Sequence, residues 1–174
     1  MSKQRKWALV MGSGGVKSVA ALGVAQALEE AGHRPGLIVG CSAGALFGAM
    51  LACGHGAARA IEMAHAIWTP EVARQRRNSA WLELAGSALG VPSQPPFDQR
   101  FGLRDGGPIE ARLRDAFGDR QLEDLPLELR VVATNAADGR TVLLREGPIW
   151  KALRASMALP FLFPAFTVQA LNLV

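Results

Sequence analysis

The sequence predicts an α/β fold, a three-layer α/β/α sandwich around a mainly parallel central sheet. Two apolar runs, 7–11 and 37–39, are each followed by a glycine-containing turn and then by a run with helical character. A chain that begins strand, helix, strand, helix folds into parallel strands covered by helices. With 174 residues, 49% hydrophobic and 20% charged, the chain is long and apolar enough to form one domain with a core.

The first predicted unit runs from a strand to a helix through a glycine-rich turn. The apolar residues 7–11 predict the strand, and the sequence G-S-G-G-V-K-S at 12–18 predicts the turn. Val19–Ala31 is predicted to be helical because its apolar residues recur at core spacing, and Gly32 ends the helix.

The second unit repeats this order with a shorter turn. Pro35-Gly36 breaks the chain, and Leu37–Val39 predicts a short buried strand. Ala43–Cys53 consists mostly of small or apolar residues that favour a helix, and Gly54 ends it. The residues between strand and helix, 40–44, fit the pattern G-x-S-x-G.

The G-x-S-x-G pattern in this context predicts a nucleophile elbow centred on Ser42. Gly40 and Gly44 would let the strand and the helix pass closely beside a strained turn. The serine hydroxyl would stand at the N-terminus of the helix, where the backbone N–H groups and the dipole favour negative charge. Two alternatives remain: a chance match to a short pattern, and a transmembrane helix over residues 37–54, which carry no charge.

The glycine-rich turn has three interpretations. A dinucleotide fingerprint needs G-x-G-x-x-G, but Lys17 stands at the sixth position counted from Gly12. A Walker loop needs a glycine directly before Lys-Ser, where Val16 stands. The third interpretation is an anion cradle for a developing oxyanion, facing the same sheet edge as Ser42. A nucleotide- or phosphate-binding module remains the alternative function for this turn.

The later elements are predicted from the same periodicity and turn signals. They are a helix at 56–69, a variable cap at 71–104, a helix at 109–117 opened by Gly107-Pro108, a strand at 127–134, a strand at 141–144 after the turn Asp138-Gly139, and a helix from Pro148 to Ser156. The apolar residues 162–174 show no clear end.

Charge and cysteine content indicate the compartment and the partners. The net charge is +4, and the basic cluster Arg74–Arg77 is interpreted as a solvated helix face, with contact to anionic lipid headgroups as the alternative. The absence of tyrosine leaves little for base stacking, so no nucleic-acid partner is expected. Cys41 and Cys53 lack metal-binding spacing and fit a reducing, cytoplasmic compartment, with peripheral contact at the inner membrane face as a further expectation.

At these motifs the sequence resembles the patatin-like phospholipase family over nearly its whole length. The shared motifs are G-G-V-K at 14–17, G-C-S-A-G-A at 40–45, V-V-A-T-N at 131–135 with G-R at 139–140, and A-S-M-A-L-P at 155–160 with F-P at 163–164. The resemblance implies a serine acyl hydrolase that cleaves lipid esters with a Ser–Asp dyad. Ser42 would be the nucleophile, the N–H groups of Gly14, Gly15 and Val16 would hold the oxyanion, and no metal or cofactor is implied.

The general base is not identified in this sequence. The resemblance implies an aspartate in a D-G-G or D-G-A motif shortly after the F-P segment, but residues 167–174 contain no acid. The only D-G-G begins at Asp105, where a turn leading into a helix is the alternative interpretation. His33, His55 and His65 could in principle serve a Ser–His–Asp arrangement, but none ends a predicted strand. We therefore expect residues 1–174 to be a single patatin-like domain that lacks its C-terminal part, with a non-catalytic regulator as the alternative.

Overall fold

The computed structural model describes residues 7–67, 85–86, 88–89, 99 and 101–174. In chain order its elements are β1 (Ala8–Met11), a 3₁₀ helix (Gly15–Val19), α1 (Ala20–Glu30), β2 (Leu37–Cys41), α2 (Ala43–Ala52), α3 (Ala57–Ile67), α4 (Gly107–Phe117), β3 (Glu128–Thr134), β4 (Thr141–Leu144), α5 (Ile149–Ser156), β5 (Phe166–Val168) and β6 (Leu171–Leu173). Most of the predicted cap, 71–104, lies outside the described residues.

The main sheet has four strands in the order β1-β2-β3-β4. The pairs β1–β2 and β2–β3 are parallel, and β3–β4 is antiparallel across the predicted turn. Because β1 and β2 are parallel neighbours, the loops that follow them leave the same edge of the sheet. The prediction of an α/β fold with a mainly parallel sheet flanked by helices is confirmed.

Helix α2 is the centre of the core. All ten of its residues are buried, and Phe47 and Leu46 are among the largest fully buried side chains. The helix has little amphipathic character because it is enclosed on every side by the sheet and by the other helices. Its neighbours include Met11, Ile38 and Leu129, which lie on one face of the sheet.

The transmembrane interpretation of residues 37–54 is wrong. These residues form a strand, a sharp turn and a ten-residue helix, and a single continuous helix is not present there. The uncharged run reflects burial inside an α/β domain. Within the described residues, no helix combines the length and the apolar character needed to cross a bilayer.

The C-terminal segment forms a hairpin that the sequence did not predict. Strands β5 and β6 pair antiparallel around Gln169-Ala170, both of which have positive φ, at 49° and 63°. The segment then returns to the main sheet, where the N–H and the carbonyl of Val174 pair with the carbonyl and the N–H of Thr134 at 2.9 and 2.7 Å. The two-residue turn was missed because Gln-Ala carries none of the usual hairpin signals.

The glycine-rich turn is more ordered than expected. Residues 15–19 form a 3₁₀ helix that leads directly into α1, and the N–H of Lys17 donates to the carbonyl of Gly14 at 3.2 Å. Gly15 has φ +57°, a left-handed conformation that glycine adopts without a Cβ penalty. Helix α1, Ala20–Glu30, lies where a helix was predicted at 19–31, and the 3₁₀ helix Gly15–Val19 directly precedes it.

Candidate active site

Ser42 lies at the junction of β2 and α2 in a strained backbone conformation. Its φ and ψ are 54° and −123°, a combination that L-residues rarely adopt, and its side chain is only partly buried. The residue before it ends β2 and the residue after it begins α2. This strand–turn–helix geometry is that of a nucleophile elbow, in which the serine hydroxyl is presented at the helix N-terminus.

The two flanking glycines are required by close backbone packing. A Cβ on Gly40 would contact the backbone of Ala45, with the nitrogen at 2.7 Å. A Cβ on Gly44 would overlap the carbonyl oxygen of Met11 and lie 2.5 Å from that of Gly12. The start of α2 therefore packs directly on the backbone that leads from β1 into the glycine-rich turn at residues 12–18, the glycine loop.

The glycine loop presents three consecutive backbone donors. Among the described residues, the N–H groups of Gly14, Gly15 and Val16 have no hydrogen-bond acceptor, and all three residues are exposed. The loop is closed from within by Ser18, whose hydroxyl donates to the carbonyl of Gly12 at 3.2 Å. A run of unpaired N–H groups in a turn is an anion-binding arrangement. Through Gly12 it lies against Gly44, two residues from Ser42.

Ser156, which the sequence did not identify as a site residue, holds the elbow from the other side. The N–H of Ser42 donates to the hydroxyl of Ser156 at 2.7 Å, and that hydroxyl donates to the carbonyl of Val132 at 2.6 Å. Ser156 ends α5 and is 8% exposed. The motif at 155–160 marked this segment as shared with a family, but no local pattern indicates which group 114 residues away it would bind.

Asp105 occupies the turn that opens α4. Its Oδ1 accepts a hydrogen bond from the N–H of Gly107 at 2.9 Å, and the side chain is exposed. This is the arrangement of a turn leading into a helix, the alternative interpretation of the D-G-G sequence. The Asp105 carboxylate thus stabilises the turn before α4. Its role as a general base stays a prediction.

Arg154 lies buried beside this turn. Its guanidinium packs against Gly106, and Nη2 donates to the carbonyl of Pro164 at 3.4 Å. In the described part of the chain, Nε and Nη1 have no hydrogen-bond partner. Burial lowers the pKa of Arg154, while the carboxylates of Glu110 and Asp105 act in the opposite direction. The Asp105 carboxylate thus partly compensates a buried positive charge.

His33 and His55 are not placed beside Ser42. His33 and His55 follow the C-terminal ends of α1 and α2. Their backbone N–H groups donate to the carbonyls of Leu28 and Met50, respectively. They line a cavity of about 430 Å³ at the amino-terminal edge of the strands. Helix α2 is about 15 Å long at 1.5 Å per residue, so this edge is remote from the elbow. His65 lies within α3.

The chain is similar to a known protein family and to several known proteins. A family model described as patatin-like phospholipase matches residues 9–174. An uncharacterized NTE family protein of Mycobacterium tuberculosis is 35% identical over 159 residues, which cover 91% of this chain and 39% of the relative. Patatin-like phospholipase domain-containing protein 6 of Homo sapiens is 31% identical over 160 residues, 90% of this chain and 10% of that protein. Lysophospholipase nte1 of Aspergillus fumigatus is 30% identical over 159 residues, which cover 90% of this chain and 9% of that protein.

Two solved structures share the fold. VipD from Legionella pneumophila superposes with a TM-score of 0.60 at 16% identity, over 97% of this chain and 45% of that one. The type III effector protein ExoU superposes with a TM-score of 0.51 at 24% identity, over 89% of this chain and 40% of that one. This chain therefore spans less than half the length of each of these relatives and structures.

Proposed function

Because the chain belongs to the patatin-like phospholipase family, we propose that it is the catalytic portion of a lipid acyl hydrolase that cleaves ester bonds of phospholipids or lysophospholipids. The observation that carries the proposal is Ser42, held at φ 54° beside a loop with three unpaired N–H groups. The name of the fungal relative, a lysophospholipase, supports the lipid ester as substrate class.

In the proposed reaction the Oγ of Ser42 attacks the ester carbonyl carbon. The negative charge that develops on the carbonyl oxygen is stabilised by the N–H groups of Gly14, Gly15 and Val16. The alcohol portion of the lipid leaves with a proton, and the acyl group stays on Ser42 as an ester. Water then attacks this ester and releases a fatty acid and the free serine.

The reaction needs a base because a serine hydroxyl is almost fully protonated at neutral pH. We propose an aspartate outside residues 1–174, acting with Ser42 as a dyad. The position of Val174 supports this: it pairs with Thr134, two residues beyond Val132, the partner of Cys41. Since Val132 and Thr134 present backbone groups to the same edge of β3, residues following Val174 would start beside the elbow. Asp105 is the second candidate.

The lipid would be taken from a membrane surface in transient contact with the cytoplasmic protein. Two exposed apolar residues support this part of the proposal. Val16 lies in the glycine loop, and Leu159 lies three residues after Ser156. Exposed apolar side chains at the rim of a site are suited to contact with lipid.

The test uses the full-length protein encoded by the gene. Ser42→Ala is expected to lower hydrolysis of a short-chain ester at least about a hundredfold and to abolish labelling by a fluorophosphonate probe, since the covalent route is lost. Thr141→Ala, which removes an exposed hydroxyl on β4, is the matched control and should keep both activities. Turnover at the wild-type rate in Ser42→Ala would refute the assignment.

A second comparison locates the base. The 174-residue chain alone is expected to hydrolyse esters far more slowly than the full-length protein. If it is equally fast, the base lies within the chain, and Asp105→Asn is the next variant. A non-catalytic regulator of the same fold is the alternative function, and it predicts that Ser42 is unlabelled in the full-length protein. The strain stored at Ser42 favours the enzyme, because strained residues concentrate at active sites.

A further inference from the structure

We propose that Ser156 is a positioning residue for the nucleophile, and that its hydroxyl replaces the last rung of the β2–β3 ladder. The proposal rests on the proposed function, in which Ser42 is the nucleophile. It assigns to Ser156 the task of fixing the backbone nitrogen from which the Ser42 side chain projects.

The strand register shows which hydrogen bond is replaced. Cys41 pairs with Val132, so a regular parallel ladder would next join the N–H of Ser42 to the carbonyl of Val132. In the structure the Ser156 hydroxyl stands between these two groups, accepting from the first at 2.7 Å and donating to the second at 2.6 Å. Two bonds in series take the place of one. The exchange takes place directly after the last paired residue of β2, Cys41, where the chain turns into the elbow.

The inserted hydroxyl fixes one side of a strained residue. The nitrogen of Ser42 is held by Ser156, and its carbonyl accepts the first helical bond of α2, from the N–H of Leu46 at 3.1 Å. With both backbone groups held at φ 54°, the Oγ retains only rotation about χ1. Since a displacement of about 1 Å can cost roughly a hundredfold in rate, this restraint bears directly on catalysis.

The chemistry of the position explains why a hydroxyl is needed. The group must accept from an N–H and donate to a carbonyl at the same time, which a hydroxyl can do and a methyl cannot. Ser156 is 8% exposed, so solvent has little access to restore the lost bonds in an alanine variant. Ser156→Ala would leave the part-buried N–H of Ser42 and the part-buried carbonyl of Val132 without their hydroxyl partner, and the elbow would shift to satisfy them.

The experiment compares Ser156→Ala, Ser156→Thr and Ser156→Cys with the control Ile149→Val in the full-length protein. Ile149 is fully buried at the other end of the same helix, so its truncation loosens α5 without touching the elbow. The measurements are kcat and KM for a short-chain ester, the rate of fluorophosphonate labelling, and hydrogen exchange of the Ser42 amide. Tm is measured for each variant.

Ser156→Ala is expected to lower kcat and the labelling rate about ten- to a hundredfold with KM within about twofold, and to speed exchange of the Ser42 amide. Ile149→Val should change kcat by less than about twofold at a similar loss of Tm. Ser156→Thr, which keeps the hydroxyl, should recover most of the loss. If Ser156→Ala does not fold, Ser156→Cys gives the answer: its thiol bonds weakly, so kcat should fall about tenfold.

The inference is overturned if Ser156→Ala, or Ser156→Cys when alanine is not folded, has a kcat within about twofold of wild type, or if Ile149→Val loses as much kcat at equal Tm. Ser42→Ala in the same series separates the two proposals. If Ser42→Ala abolishes labelling and Ser156→Ala has no effect, the proposed function stands and this inference fails. If Ser42→Ala keeps wild-type turnover, the proposed function itself fails.

Discussion

Gly44→Ala is predicted to be strongly disruptive at the candidate active site. The added Cβ would overlap the carbonyl oxygen of Met11 and would lie 2.5 Å from that of Gly12, whereas real Cβ contacts essentially never fall below 3.0 Å. Both opposing atoms belong to the backbone, so no side chain can rotate aside. The start of α2 and the loop after β1 must separate by about half an ångström or more.

Overpacking of this kind costs about 1–3 kcal/mol, and a contact with rigid backbone belongs at the upper end. For a domain of this length, about 3 kcal/mol lowers Tm by roughly 6–12 °C. The same separation moves Ser42 relative to the glycine loop and should reduce labelling by a fluorophosphonate probe about tenfold or more. Urea denaturation and labelling kinetics of the full-length protein measure the two effects.

Gly48→Ala is the matched control, one turn further along the same helix. There the added Cβ would meet the Ile38 side chain at 2.8 Å and that of Leu129 at 3.4 Å, and these side-chain ends can shift. Its cost should be at most about 1 kcal/mol, partly offset by the better helix propensity of alanine. The reasoning is refuted if Gly44→Ala is as stable as Gly48→Ala.

Three further substitutions have effects that the backbone conformation predicts. Gly15→Val should depress ester turnover about tenfold or more, because a β-branched residue fits poorly at φ +57° and its side chain would disturb the N–H groups of the loop; unchanged kcat would contradict this. Gly23→Ala, exposed inside α1 with open space around its Cβ in the described part, should raise stability by about 0.5–1 kcal/mol in urea denaturation, and a loss of stability would show an unrecognised contact. Ala170→Gly should stabilise by about 1 kcal/mol, because Ala170 has φ 63°; equal Tm values would indicate that the turn is not strained.

The strand, turn and helix around Ser42 were predictable from sequence because their requirements are local. Strand, glycine, serine, glycine and helix follow one another within residues 37–52, and each residue type answers a nearby backbone contact or dihedral angle. The parallel arrangement of β1 and β2 then follows from their order in the chain, which places Gly14–Val16 at the edge where Ser42 stands.

The parts that sequence did not predict depend on distant contacts. The hairpin turn at Gln169-Ala170 is imposed by the pairing of β5 with β6 and of Val174 with Thr134, against the preference of its own residues. The bond from Ser42 to Ser156 joins two residues 114 positions apart, and neither neighbourhood contains a pattern that names the other. Asp105 shows the converse: its motif suggested a base, and the structure gives it a hydrogen bond within its own turn.

The hydroxyl between β2 and β3 also sets an order of assembly. The unit from β1 to α2 is contiguous in sequence, so its contacts can form early in folding. Bringing Ser156 of α5 onto the N–H of Ser42 joins residues 114 positions apart and comes at a greater entropic cost. A chain emerging from the ribosome would present Ser42 long before Ser156 had left the exit tunnel. The serine would then lack the group that fixes its backbone nitrogen. Under the proposed function, the positioning of Ser42 would be a late event in folding, and partly synthesised chains should be poor esterases even where residues 37–52 have already formed their strand, turn and helix.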